Sequence, residues 1–150
     1  MLLRKELNQL EEYTNSFEKS KSSVSSKNVG WHVDHSLKVI NSVINTLKES
    51  KPKNYKWKFN IMRFFIYTFN YIPRGKGKAP KRVMPPEVLV KEDIYRQIVL
   101  AKLNLENVIR LPSKSNIIHP YFGMLNLQQT LKFLGLHTNH HLKICGDIVK

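Results

Sequence analysis

The last quarter of the chain narrows the fold most. Leu127, Leu131, Leu134, Ile144 and Ile148 recur at spacings that keep to one side of an α-helix. His137 falls three residues after Leu134 and His141 four later, so both continue this apolar row. The pattern predicts a helix over 127–148, with Asn126 as its N-cap. Such a helix needs partners for its apolar face, and three more segments share its period. Leu3, Leu7, Leu10 and Tyr13 mark a helix over 2–17. Val39, Ile40, Val43, Ile44 and Leu47 mark one over 29–50, capped by Asn28 and stopped before Pro52. Ile94, Ile98, Ala101, Leu105 and Val108 mark one over 91–110.

No stretch shows convincing strand alternation, so the expected class is an all-α bundle. A chain of 150 residues predicts one domain, 1–150. The aromatic segment 55–72 reads as an extra helix covering one side of the core, closed by Pro73. Residues 74–87 form a basic loop rich in glycine and proline. Residues 111–125 read as an irregular connection.

The formal net charge is +14. The cations are scattered, and no zinc-finger, RNP or basic-zipper motif accompanies them, so they read first as a solvated, lysine-rich surface. Nucleic-acid binding through the basic and aromatic middle of the chain is the rival. One cysteine, Cys145, excludes an internal disulfide and fits a reducing compartment. The N-terminus lacks the apolar core of a signal peptide. The most apolar run, 61–72, is about half the length of a spanning helix and contains Arg63 and Asn70. The expectation is a soluble, cytoplasmic protein with no membrane partner. No dinucleotide, Walker or nucleophile-elbow motif is present.

Three of the six histidines lie within five residues, in LHTNHHLK. His137 and His141 sit one turn apart on the inward row, where two imidazoles can share a metal ion. His140 is rotated by about 100° from His141 and points to an edge. A third ligand can come from WHVDHSLKVI on the second helix. His35 precedes Val39 and Val43 on the buried row, and His32, one turn earlier, can share that face. Three histidines leave positions open, which suits catalysis better than a closed structural zinc. Structural core histidines remain the alternative. Asp34 points away and reads as solvated or capping. Cys145, one turn past His141, reads as a small buried hydrophobe that could approach the metal. His119, in HPYFG, reads either as a packed loop residue or as a gate over the pocket.

These residues resemble the DinB/YfiT-like family of four-helix bundles. Many members bind a divalent metal through one histidine of the second helix and an H-x-x-x-H in the last. The register of KNVGWHVDH (27–35) is similar to the family's pattern, with lysine where tryptophan is common, and points to His35 over His32. The stretch from His119 to Ile144 is similar to an uncharacterised branch that carries an HPYFG segment before its histidine helix. The aromatic segment with its basic loop is not a general feature of the family.

The resemblance implies a metal site at His35, His137 and His141 holding Zn²⁺ or Ni²⁺, with His32 and His140 as supporting or proton-relay groups. It implies a hydrolase or thiol transferase, in which the metal activates water or a low-molecular-weight thiol. The partners would be a small-molecule substrate, a thiol co-substrate and a second copy of the chain. On the enzyme reading, the basic loop would attract an anionic co-substrate. The alternative function is a basic helical binding module for nucleic acid or another anionic partner, with structural histidines.

Overall fold

The computed structural model describes residues 3–75 and 77–150. Its helices are α1 (Arg4–Tyr13), α2 (Val29–Glu49), α3 (Ile61–Phe69), α4 (Lys91–Val108) and α5 (Leu127–Val149), with short 3₁₀ turns at Thr14–Ser16, Pro52–Asn54 and Lys81–Val83. α2 is central and packs against α4 on one side and α5 on the other, while α1 lies against both α4 and α5. The four long-period segments of the sequence are thus helices, and the chain is mostly helical, as expected. The Asn28 side chain accepts from the Trp31 N–H at 2.9 Å and starts α2. Asn126 and Gln129 form a reciprocal capping box at the start of α5.

The core is aliphatic. Leu10, Leu37, Ile40, Ile44, Leu47, Ile98 and Leu134 are almost fully buried. The α2–α4 contact also carries a polar ladder. Gln97 donates to the Asp34 carboxylate at 2.6 Å, and Asn104 donates to Asn41 at 3.0 Å. Asp34 is therefore buried between two helices and paired with Lys38 at 2.7 Å. This corrects its reading as a solvated or capping residue, because α4 covers the side of α2 on which it lies. Gly30 has a steric reason to lack a side chain: a Cβ there would meet Phe17 at 2.7 Å.

Two expectations are overturned. The connection 111–125 holds an antiparallel hairpin, β1 (Asn116–His119) with β2 (Gly123–Asn126). Its strands are too short for alternation to register, and Gly123 takes the left-handed conformation that ends the three-residue loop. The aromatic segment is not a long core-covering helix either. Only 61–69 is helical, and Trp57, Phe59, Phe64, Phe65 and Phe69 are exposed. The side of α3 that faces the protein carries Arg63, Ile66 and Tyr67. Arg63 is buried and donates through Nη1 to the carbonyls of Phe122 at 3.2 Å and Met124 at 3.1 Å, and through Nη2 to that of Lys58. Tyr67 donates to the Gln129 carbonyl at 2.8 Å. A cation, not a hydrophobic stripe, pins this segment to the hairpin.

Loss of charge-assisted hydrogen bonds at a buried site costs about 2–3 kcal/mol. Arg63→Ala should lower stability by that amount in urea unfolding and speed proteolytic cleavage within 55–72. An unchanged midpoint and cleavage rate would show that the segment is held by something else.

Candidate metal centre

The imidazoles meet where the first half of α2 faces the middle of α5. His35, His137 and His141 each offer a ring nitrogen, and these atoms lie within 4.8 Å of one another. A tetrahedral zinc site has nitrogens about 3.4 Å apart, so modest ring rotations bring the three onto one ion. Neighbouring centroids are close: 4.6 Å for His137–His141, 4.9 Å for His35–His141 and 5.2 Å for His35–His137. The residues present therefore can hold a metal ion.

Hydrogen bonding fixes which nitrogens are free. His35 Nδ1 lies 2.8 Å from the Val83 carbonyl. A carbonyl only accepts, so Nδ1 carries the proton and Nε2 keeps its lone pair. His141 Nδ1 lies 2.9 Å from His32 Nδ1, and His32 Nε2 lies 3.0 Å from Ser25 Oγ. One proton must sit between the two Nδ1 atoms. If His141 donates it, His141 Nε2 is free as a ligand and His32 Nε2–H donates onward to Ser25. Both arrangements give a metal-binding histidine an outer hydrogen-bond acceptor that fixes ring and tautomer. His137 Nδ1 is buried and has no hydrogen-bond partner. An orphaned imidazole nitrogen beside the free lone pair of His35 Nε2, joined by that of His141 Nε2 when His141 donates to His32, is the feature a bound cation satisfies.

Burial makes all these rings poor bases. It lowers His35, and it pushes His137 and His141 well below the usual histidine range, helped by the neighbouring imidazoles. His32 falls to about 4 by burial and then by repulsion from His35. Neutral imidazole is the form that ligates metal, so desolvation keeps the cluster ready near pH 7.

The cluster forms one wall of a cavity of about 270 Å³. Val39, Val43, Ile117, Phe122 and Phe133 make much of the remainder, Lys78 and Arg82 contribute the cations, and no Asp or Glu among the described residues lines it. Two further histidines line it as well. His140 donates from Nδ1 to the Ile72 carbonyl at 3.0 Å, which leaves Nε2 as an acceptor. His119 accepts at Nδ1 from the Tyr121 and Phe122 N–H groups, both at 3.2 Å, so its proton is on Nε2. Stacked on Phe122 at 4.3 Å, His119 has a pKa lowered to about 4 by burial.

The structure thus brings together His35, His137 and His141 and sets His140 beside them. His32 does not line the cavity and touches the cluster only through His141. Cys145 is buried outside the three-histidine group, and burial raises its thiol to about 12, which fits the inert reading. Sequence reasoning missed Trp31, which stacks on His35 at 5.0 Å, and Val83, whose carbonyl orients it. The four-residue step from Trp31 to His35 was the available signal for the first. Nothing in the sequence marks the second, because the contact is made by a backbone atom. Comparisons with protein-family models, curated proteins and solved structures gave no match.

The lowered histidines make the metal-free fold acid-sensitive. Between the unfolded pKa of about 6.5 and the folded value of about 4 for His32 and His119, the unfolded chain binds more protons. Stability should therefore hold above about pH 6.5 and fall as pH drops below it, with His32 alone worth on the order of 3 kcal/mol by about pH 4. Urea midpoints of the metal-free protein at pH 7.5, 6 and 5 measure this. A flat profile would mean that the rings are not desolvated.

Proposed function

We propose that the chain is a metal-dependent enzyme of the DinB/YfiT-like kind, a hydrolase or thiol transferase that holds Zn²⁺ or Ni²⁺ at His35, His137 and His141 and works in the cytoplasm. The observation that carries the proposal is the convergence of three desolvated imidazoles on one wall of a cavity, with His137 Nδ1 lacking any other partner. The bound ion would supply Lewis acidity that makes water or a thiol nucleophilic at neutral pH.

The protein's own residues supply the rest. Val83 and His32 hold His35 and His141 in the ligating tautomer. Trp31 stacks on His35 and limits its rotation. His140 keeps an unprotonated Nε2 at the cavity wall, and it is the group placed to take a proton from a nucleophile. The protonated Nε2 of His119 is a neutral donor, suited to a substrate oxygen. With no carboxylate in the described lining, proton transfer falls to imidazole. The apolar walls and the Lys78 and Arg82 side chains favour a small substrate or thiol co-substrate with an apolar body and an anionic group.

Elemental mass spectrometry of the untagged protein tests the site. Wild type should carry about one divalent ion per chain after incubation with Zn²⁺ or Ni²⁺. His137→Ala and His141→Ala should each abolish uptake, and His32→Ala should weaken it by about 10–100-fold. His140→Ala should retain the ion. Wild type without metal would contradict the proposal.

A further inference from the structure

α3 is amphipathic in the reverse sense. Its inward stripe holds a buried arginine, while Ile61, Met62, Phe64, Phe65 and Phe69 face outward, 48–70% exposed. Trp57 and Phe59, on the extended stretch before it, are 64% and 63% exposed. Aromatic contacts run along the patch, from Phe59 to Phe64 at 6.1 Å, Phe64 to Phe65 at 5.5 Å and Phe65 to Phe69 at 6.2 Å. A contiguous exposed apolar surface of this kind marks an interaction site.

Charge identifies what covers it. The 37 residues between Glu49 and Glu87 contain ten Lys or Arg and no Asp or Glu. Outside that segment, fifteen basic residues face eleven acidic ones, so most of the net +14 is concentrated here. Lys53, Lys56 and Lys58 are exposed on the approach to α3, and Lys78 is exposed beyond it, where Arg74 is paired with Asp147 at 2.7 Å. The outer face of α3 itself carries no charge. An uncharged centre flanked by cations fits an anionic surface with an apolar interior.

We infer that this face docks reversibly on an anionic lipid bilayer, with the outward side chains of α3 entering the boundary between headgroups and acyl chains and the flanking lysines meeting lipid phosphates. Amphipathic helices bind membranes by this combination of buried apolar area and electrostatic attraction. A second copy of the chain is a poorer occupant, because a symmetric contact would oppose two acid-free basic segments. Nucleic acid is poorer as well. Stacked bases need phosphate contacts beside the rings; Lys56 and Lys58 alternate with Trp57 and Phe59, but along α3 itself Phe64, Phe65 and Phe69 stand exposed with no exposed cation between them. No helix among the described residues is long and apolar enough to cross a membrane, and surface docking needs none. The inference departs from the expectation of no membrane partner, which rested on the lack of a spanning segment.

Vesicle co-sedimentation of the full chain tests it. Vesicles of three parts phosphatidylcholine to one part phosphatidylglycerol should pellet the wild type at low salt, and pure phosphatidylcholine should not. Phe64→Ser/Phe65→Ser/Phe69→Ser should weaken binding at least tenfold, and Lys53→Glu/Lys56→Glu/Lys58→Glu by about a hundredfold or more. Phe69→Ser alone, with an expected loss of a few-fold, keeps the test decisive if the triple serine variant does not fold. Far-UV circular dichroism and Zn²⁺ uptake should be unchanged in the variants, which separates this proposal from the metal site. Wild type left in the supernatant with the anionic vesicles would overturn the inference. So would undiminished binding by the serine variants, or vesicle-negative protein in which the patch instead maintains a dimer or retains a single-stranded oligonucleotide.

Discussion

Desolvation of imidazole is the constraint on which the site depends. Packing α2 against α5 removes His32, His35 and His141 from water, and a buried polar ring without partners costs several times the net worth of a hydrogen bond. Each ring nitrogen must therefore be accounted for. His35 is satisfied on one side by a loop carbonyl, and His141 by His32, which Ser25 satisfies in turn. What remains is a set of nitrogens directed at one another across less than 5 Å, with nothing among the described residues to bind them together. A cation could satisfy all three rings at once, whereas the single N–H of a neutral His137 can serve only one neighbour.

The same accounting explains why the basic loop after α3 belongs to the site. Its 3₁₀ turn, Lys81–Val83, buries Val83 and presents the carbonyl to His35, while Ile72 receives the His140 proton. The chain between α3 and α4, through Ile72 and Val83, fixes two tautomers with opposite consequences. His35 is left as a ligand and His140 as a proton acceptor. Arg63 serves this arrangement indirectly by anchoring α3 to the hairpin that carries His119.

Much of this was legible in the sequence. The apolar rows located four helices because each row is long enough to repeat several times, and the same rows placed His137, His141 and His35 on inward faces. The register from KNVGWHVDH favoured His35 over His32 as the ligand, and His35, not His32, stands in the three-histidine group. The rest was hidden for physical reasons. Asp34 looked solvent-directed because one helix in isolation has an outer face, and only the packing of α4 buries it. The hairpin escaped notice because four-residue strands carry too little alternation. The aromatic segment misled because apolar spacing reports which side chains share a face, not which way that face is turned. There the inward position went to Arg63, whose donors satisfy three carbonyls that aromatic rings could not.

Whether the three rings can share one ion turns on their tautomers, which long-range ¹⁵N–¹H correlation spectroscopy of the histidines reads before and after one equivalent of Zn²⁺. His35 and His141 should show protonated Nδ1 in both states, with Nε2 resonances moving to metal-bound positions on titration, and His137 should change with them, while His119 keeps its proton on Nε2. Rings that ignore Zn²⁺, or a His35 protonated at Nε2, would contradict a shared ion.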